Sequence, residues 1–269
     1  MMTLNDLRIG LFRVKSTQNF NCVLFCVYGM LLFGEAAPVH AKIQVFAGIT
    51  PGLQYIEEGE ESGPVVDMVK VLFEAVELDY EIQMSNWAKT HQEFARAPHS
   101  LMFSVARFDS REQKFQWVLD VGPLDLRIAR SKDRPELNPE SWDALKQHKL
   151  AVVRGSTPHQ LLLQSGFVEV KDFGAVATAS DIMKYVGAGF VDLVFYESTI
   201  SPMMLELHGY PADYLVPLAL EVPVSSKLWL VASLDFPAPL IEKIRATHEK
   251  LEQDPDYQVL QKKILPLSH

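Results

Sequence analysis

Two arginines four residues apart, Arg107 and Arg111, stand in a polar turn between two apolar runs, residues 101–106 and the stretch from Phe115 to Gly122-Pro123. A guanidinium is the side chain best shaped to grip a carboxylate, because its planar fork donates two parallel hydrogen bonds. Most arginines in turns are solvated surface charges, so the pair gains weight only from its surroundings. A second feature is Gly155-Ser156-Thr157, between the apolar run 150–153 and a helical stretch from His159. Exposed N–H groups, hydroxyls and a helix dipole at such a junction favour an anion, although the same tripeptide is a routine helix cap. A third is Glu197, the carboxylate that ends the strand-like stretch 191–196. Trp87, heading a helix directly after a strand, is the aromatic best placed to face a cleft. Phe46, Tyr55, Trp117 and Tyr196 read singly as core.

The elements that must carry these residues follow from periodicity. Residues 42–47 read as a strand and 48–63 as a turn-rich loop. Pro64 then sits at a first helical position, with Val65, Met68, Val69, Leu72, Phe73 and Val76 at helical spacing. Residues 80–84 alternate as a second strand, and Asn86 can cap a helix over 87–95 that Pro98 stops. Residues 101–106 supply a third strand. After a polar linker, 132–140, the pattern recurs: strand 150–153, a helix over 159–164 with Thr157 and Pro158 as cap and first turn, and a short strand at 168–170. A helix capped by Ser180 and a strand over 191–196 follow. A strand at 227–232 and helices over 239–252 and 256–265 close the chain. Alternating strands and helices predict an α/β protein with mostly parallel sheets flanked by helices. Two such units predict two lobes with ligands at the carboxyl ends of the strands, in the cleft between them.

Composition narrows the function. The 269 residues are 48% hydrophobic and 22% charged, as in ordinary globular proteins. A net charge of −9 argues against nucleic acid and gives no support to an anionic membrane surface. There is no Gly-x-Ser-x-Gly, no Gly-Lys-Ser/Thr phosphate loop, and His248-Glu249 lacks the second histidine of a zinc motif. Gly187-Ala188-Gly189 follows a helix and reads as its C-terminal cap, not as a dinucleotide fingerprint. No metal or cofactor is expected.

The first 41 residues read as a signal peptide. Arg8, Arg13 and Lys15 form a positive region, residues 22–33 an apolar core, and Val39-His40-Ala41 a small-x-small cleavage site. A retained anchor is the competing reading. Both cysteines, Cys22 and Cys26, lie in this segment, so a chain cut after Ala41 has no thiol. A periplasmic protein is expected.

From residue 42 onward the chain resembles the family 3 extracytoplasmic solute-binding proteins that serve amino-acid ABC transporters. Four stretches carry the likeness: Gly63-Pro64-Val65-Val66-Asp67 opening the first helix, Ser104-Val105-Ala106 running on to Arg111-Glu112, Gly155-Ser156-Thr157, and the strand from Asp192 to Glu197. The resemblance implies the two-lobed type II binding-protein fold, with 42–124 and 223–269 as lobe 1, 125–222 as lobe 2, and hinges near residues 123–125 and 222–224. It implies a site in which Arg111, Thr157 and Ser156 hold a carboxylate, with Ser104 and Ala106 on the same wall. Glu197 would then receive an ammonium, and Trp87 would pack the ligand's side chain. It implies capture of an amino-acid-like or other carboxylate-bearing solute by hinge closure, without catalysis, by a monomer that docks on a membrane permease. Two departures bear on the ligand. Ala106 stands where many members have a hydroxyl residue, and Glu197 replaces the commoner aspartate. Two other roles share the fold: a dehydratase of the cyclohexadienyl type recruiting Glu197 or Glu221 as general acid, and a ligand-sensing partner of a membrane receptor.

Overall fold

The structure, a computed structural model, describes residues 42–197, 201–222 and 227–264, with backbone alone for 201–203. The expected leader, 1–41, and part of the second expected hinge, 223–224, lie outside the described residues.

Two five-stranded sheets organise the chain. The first is built from β1 (Ile43–Gly48), β4 (Tyr80–Ser85), β5 (Leu101–Ala106), β6 (Gln116–Pro123) and β12 (Lys227–Ala232), in the order β4-β1-β5-β12-β6. Strands β4, β1 and β5 are parallel, and β12 runs antiparallel to both of its neighbours. The hairpin β2 (Tyr55–Glu57) and β3 (Glu60–Ser62) lies in what the sequence predicts as loop. The second sheet holds β7 (Leu126–Ser131), β8 (Leu150–Val153), β9 (Phe173–Val176), β10 (Leu193–Glu197) and β11 (Leu215–Pro217), in the order β11-β7-β10-β8-β9. Here β10, β8 and β9 are parallel while β7 runs antiparallel to β10 and β11. The chain passes from the first sheet to the second across Leu124-Asp125 and rejoins the first through β12. The architecture is α/β and two-lobed.

Helices α1 (Pro64–Val76), α2 (Trp87–Phe94), α3 (Trp142–Leu145), α4 (Thr157–Gln164), α5 (Ala179–Gly187), α6 (Ser201–Leu207), α7 (Ala238–Leu251) and α8 (Pro255–Ile264) flank the sheets. Pro64 occupies the first turn of α1, where its missing donor costs nothing. The helix buries Val65, Val66, Met68, Val69, Leu72, Phe73 and Val76 against α7 and α8 and ends on Glu77 in the left-handed region. Asn86 caps α2, its side chain accepting from the Lys89 N–H at 3.0 Å.

Three local expectations are corrected. The cap of α4 is Ser156, not Thr157, and the cap of α5 is Thr178, not Ser180. Thr178 sits three residues before Asp181, and hydroxyl and carboxylate bond each other at 2.8 Å, an arrangement Ser180 lacks. Residues 168–170 form no strand. Val168 and Val170 are exposed, Glu169 makes one isolated bridge to Phe173, and the strand is β9.

Candidate functional site

The carboxyl ends of β1, β4, β5, β8 and β10 deliver the polar groups singled out above, as expected where parallel strands end in open α/β sheets. Trp87 follows β4 and lays its indole flat on Gly48 at the end of β1. A methyl group on Gly48 would lie 2.1 Å from the indole, so only glycine fits. The indole N–H donates to the Thr50 hydroxyl at 3.1 Å, and Thr90 one turn along α2 donates to the Ala47 carbonyl. Trp87 is therefore pinned from both sides.

Ser104 has φ +62 inside β5, at the point where the register with β12 shifts. A β-bulge there turns its hydroxyl onto the buried Gln54 at 3.0 Å, and Gln54 donates in turn to the Gly48 carbonyl at 3.1 Å. Ser104 thus braces the 50–54 loop. The carbonyl of Ala106 accepts from Arg111 Nη1 at 3.2 Å, so Ala106 contributes through its backbone.

Arg111 ends a short 3₁₀ turn, Asp109–Arg111, and is only 7% exposed. Its guanidinium lies 4.3 Å over the Phe108 ring and donates toward His91 Nε2 at 3.4 Å. Burial alone lowers its pKa to about 10, with no carboxylate among the described residues compensating. His91 stands one helical turn after Trp87, the two rings 5.7 Å apart. Burial, then the charges of Arg111 and Lys114, lower its pKa to about 3, so it is neutral at pH 7. With Nε2 accepting from an arginine, Nδ1 carries the proton. Arg107 behaves differently. Its guanidinium sits 4.9 Å from both Trp117 and Trp229 and pairs with Glu112, which makes it a bracket for the aromatic face of the first sheet.

On the second sheet, Gly155 has φ +78, and a methyl group there would lie 2.7 Å from the Ala88 nitrogen across the cleft. The two lobes touch at this point and again where Gln164 Nε2 meets Ser110 Oγ at 2.6 Å. The Gly155 N–H donates to His159 Nδ1 at 3.1 Å, and Nε2 of that ring faces Glu169 at 3.2 Å, fixing the tautomer. Glu169 also pairs with Arg154 at 2.7 Å. Burial works to raise the pKa of Glu169, and its bonds to His159 and Arg154 overcome that to lower it. The Ser156 hydroxyl caps α4 and donates to the Val153 carbonyl at 2.7 Å. Glu197, the last residue of β10, is 6% exposed, and burial alone raises its pKa to about 7.

Two cavities flank the Ala88–Gly155 contact. A small one, about 160 Å³, is bordered by Trp87, Thr50, Ser156, Tyr196 and Glu197. A larger one, about 1190 Å³, is bordered by Arg111 and His91 from the first lobe and by Arg154, Gly155 and His159 from the second. The structure therefore brings Trp87, Ser156 and Glu197 together and places Arg111 in the adjoining space. Thr157, Ser104 and Ala106 are buried and border neither cavity. Glu221 is exposed beside Leu124 and Val222, away from both. Thr50 and His159 border these cavities and were passed over by the sequence reading, while His91, which reads from the sequence as a surface residue flanking a short helix, lies within α2 and borders the larger cavity beside Arg111. The spacing of His91 from Trp87, one helical turn, is the signal that points to it. Among the described residues no group of three or more His, Cys, Asp or Glu is arranged to hold a metal ion.

No family model and no curated protein matches the chain. Solved structures do. A histidine kinase sensor domain similar to periplasmic binding proteins superposes with a TM-score of 0.69 at 18% identity, covering 84% of this chain and 96% of that one. The chain has the fold of the two-lobed periplasmic binding proteins. The arginine-, lysine-, histidine-binding protein ArtJ of Geobacillus stearothermophilus gives a TM-score of 0.69 at 16% identity, covering 85% and 97%. A substrate-binding protein of an ABC uptake transporter from Streptococcus pneumoniae, with histidine bound, gives 0.69 at 16%, covering 83% and 92%. At these identities the periplasmic-binding-protein likeness is one of fold, and ligand and partner must be argued from this chain's own residues.

Proposed function

We propose that this protein is a periplasmic solute-binding protein that captures a small amino-acid-like acid between its lobes and presents it to the permease of an ABC transporter. The observation that carries the reading is a pair of buried ionisable groups of opposite sign with no ion-pair partner among the described residues. Arg111 has its pKa lowered and Glu197 has its pKa raised, each by burial alone, and each borders a cavity at the lobe contact. Holding such groups out of water costs stability in the protein itself. A carboxylate brought to Arg111 and an ammonium brought to Glu197 offset that cost, and the shielded cleft strengthens both attractions. Trp87, pinned by Gly48 and Thr50, offers a rigid apolar wall for the rest of the solute.

The arrangement binds without needing to react. Arg111 is oriented by the Ala106 carbonyl and His91, and Gly155 gives the lobes a surface on which to close. Structural neighbours that are amino-acid-binding proteins of ABC importers support this role. The test is a thermal-shift and calorimetric screen of amino acids, amines and dicarboxylates. A solute at 100 times its Kd should stabilise the protein by about 2.7 kcal/mol, roughly 5–10 °C in Tm. No shift across the panel counts against the proposal.

One observation favours a second reading. A carboxyl with a pKa of about 7 suits a general acid, as a carbon–oxygen lyase would require of Glu197. Turnover of prephenate or arogenate that disappears in Glu197→Gln would establish it, and binding without turnover would remove it.

A further inference from the structure

The protein as a whole is anionic, with a net charge of −9, yet the larger cavity is lined by cations. Arg96, Arg111 and Lys114 line it from the first lobe and Arg154 from the second, and among the described residues Asp235 is the one carboxylate beside them. That carboxylate is already committed to His99, accepting its backbone N–H at 3.2 Å and facing its ring at 3.5 Å. Arg154 shares its charge with Glu169, whereas Arg96 and Lys114 make no ion pair among the described residues. Arg111, more than nine-tenths buried, uses its hydrogen bonds on a carbonyl and a neutral imidazole, neither of which cancels its charge.

One carboxylate satisfies Arg111. The cations at the mouth remain, and a solute with a single carboxylate has nothing to offer them. A cleft lined by one sign of charge focuses the field and concentrates the opposite sign, and here it does so against the repulsion of the whole molecule. From this cavity we infer that the cleft selects small acids carrying two anionic groups, one held at Arg111 and the second lying among Arg154, Lys114 and Arg96. The second group is a carboxylate or a phosphate, since both match a guanidinium fork and an ammonium. This rests on the binding role proposed above and narrows its substrate class.

Matched pairs differing only in the second charge test it: glutamate with glutamine, aspartate with asparagine, succinate with succinamate, and phosphoserine with serine. Calorimetric titration of the protein at pH 7.5 and low salt should favour the doubly anionic member of at least one pair by roughly tenfold or more, a margin that shrinks as salt is raised. The carboxylate and phosphate pairs separate the two sources of the second charge. In the exposed double variant Arg96→Gln/Lys114→Gln the ratio within the favoured pair should fall several-fold while the unfolding transition stays in place. If the uncharged partner binds as well as the diacid, or better, the selection is overturned while the binding role stands. If no member of any pair binds, the selection is overturned, and the wider screen of amino acids and amines decides the binding role separately.

Discussion

Replacing Glu197 by Gln isolates the cost of the buried carboxylate. Its pKa is about 7 in the folded protein against an ordinary 4.5, with burial as the cause. Between these values the native state keeps a proton that the unfolded chain has released. The raised value therefore makes stability fall as pH rises from 4.5 to about 7, after which the loss is constant. At 1.36 kcal/mol for each tenfold change in proton activity, the interval amounts to about 3 kcal/mol. A glutamine at this position keeps the shape and never ionises. Urea unfolding followed by tryptophan fluorescence should find the two proteins similarly stable near pH 4.5. By pH 8 the variant should be more stable by about 3 kcal/mol, or roughly 6–12 °C in Tm. Comparing the proteins at each pH cancels every other titrating group, including His91, whose effect runs the opposite way. A stability difference that does not change between pH 4.5 and 8 would refute the reasoning, because Glu197 would then ionise as freely as a surface carboxylate.

Other outcomes follow from the same geometry. His91 has its pKa depressed to about 3, so its contribution is lost as pH falls from 6.5; His91→Gln should flatten the acid limb of the stability curve by up to roughly 4 kcal/mol in urea titrations at low pH. Gly48→Ala would drive a methyl group into the indole of Trp87, and a shift in tryptophan emission with weakened solute binding should report the displaced ring. Gly155→Ala forces a left-handed residue that costs about 1 kcal/mol and also obstructs Ala88, so affinity should fall further than stability does. Arg107→Ala should lower Tm by loosening Trp117 and Trp229 while leaving affinity near that of the wild type.

Much of this architecture is legible in the sequence because it obeys local rules. Strand β5 and strand β12 carry mostly apolar runs with the bounds expected, and α1 shows its apolar stripe and its initial proline. The strand β7 is harder to see. Arg127 and Arg130 interrupt its apolar residues, and its pairing with β10 and β11 is a tertiary fact. Of the candidate site, the burial of Arg111 and Glu197 and the place of Trp87 on the border of the small cavity are tertiary facts that no local rule in the sequence supplies. Ser104 has a partner that its residue type does not reveal. Its type suggests a ligand donor, but a bulge in β5 spends the hydroxyl on Gln54, fifty residues away. The histidines are hidden for a similar reason: neither His91 nor His159 has motif spacing, and both acquire roles only when α2 and α4 meet at the cleft.

The central claim is that Arg111 is held uncompensated in order to take a solute's carboxylate. The direct measurement is the Kd of the tightest solute from the screen, determined by calorimetry for the wild type and for Arg111→Ala, with the unfolding transition of each recorded alongside. Loss of a charge-assisted pair in a shielded site should weaken binding by about a hundredfold or more while the variant still unfolds cooperatively. Equal affinity in the two proteins would contradict the account.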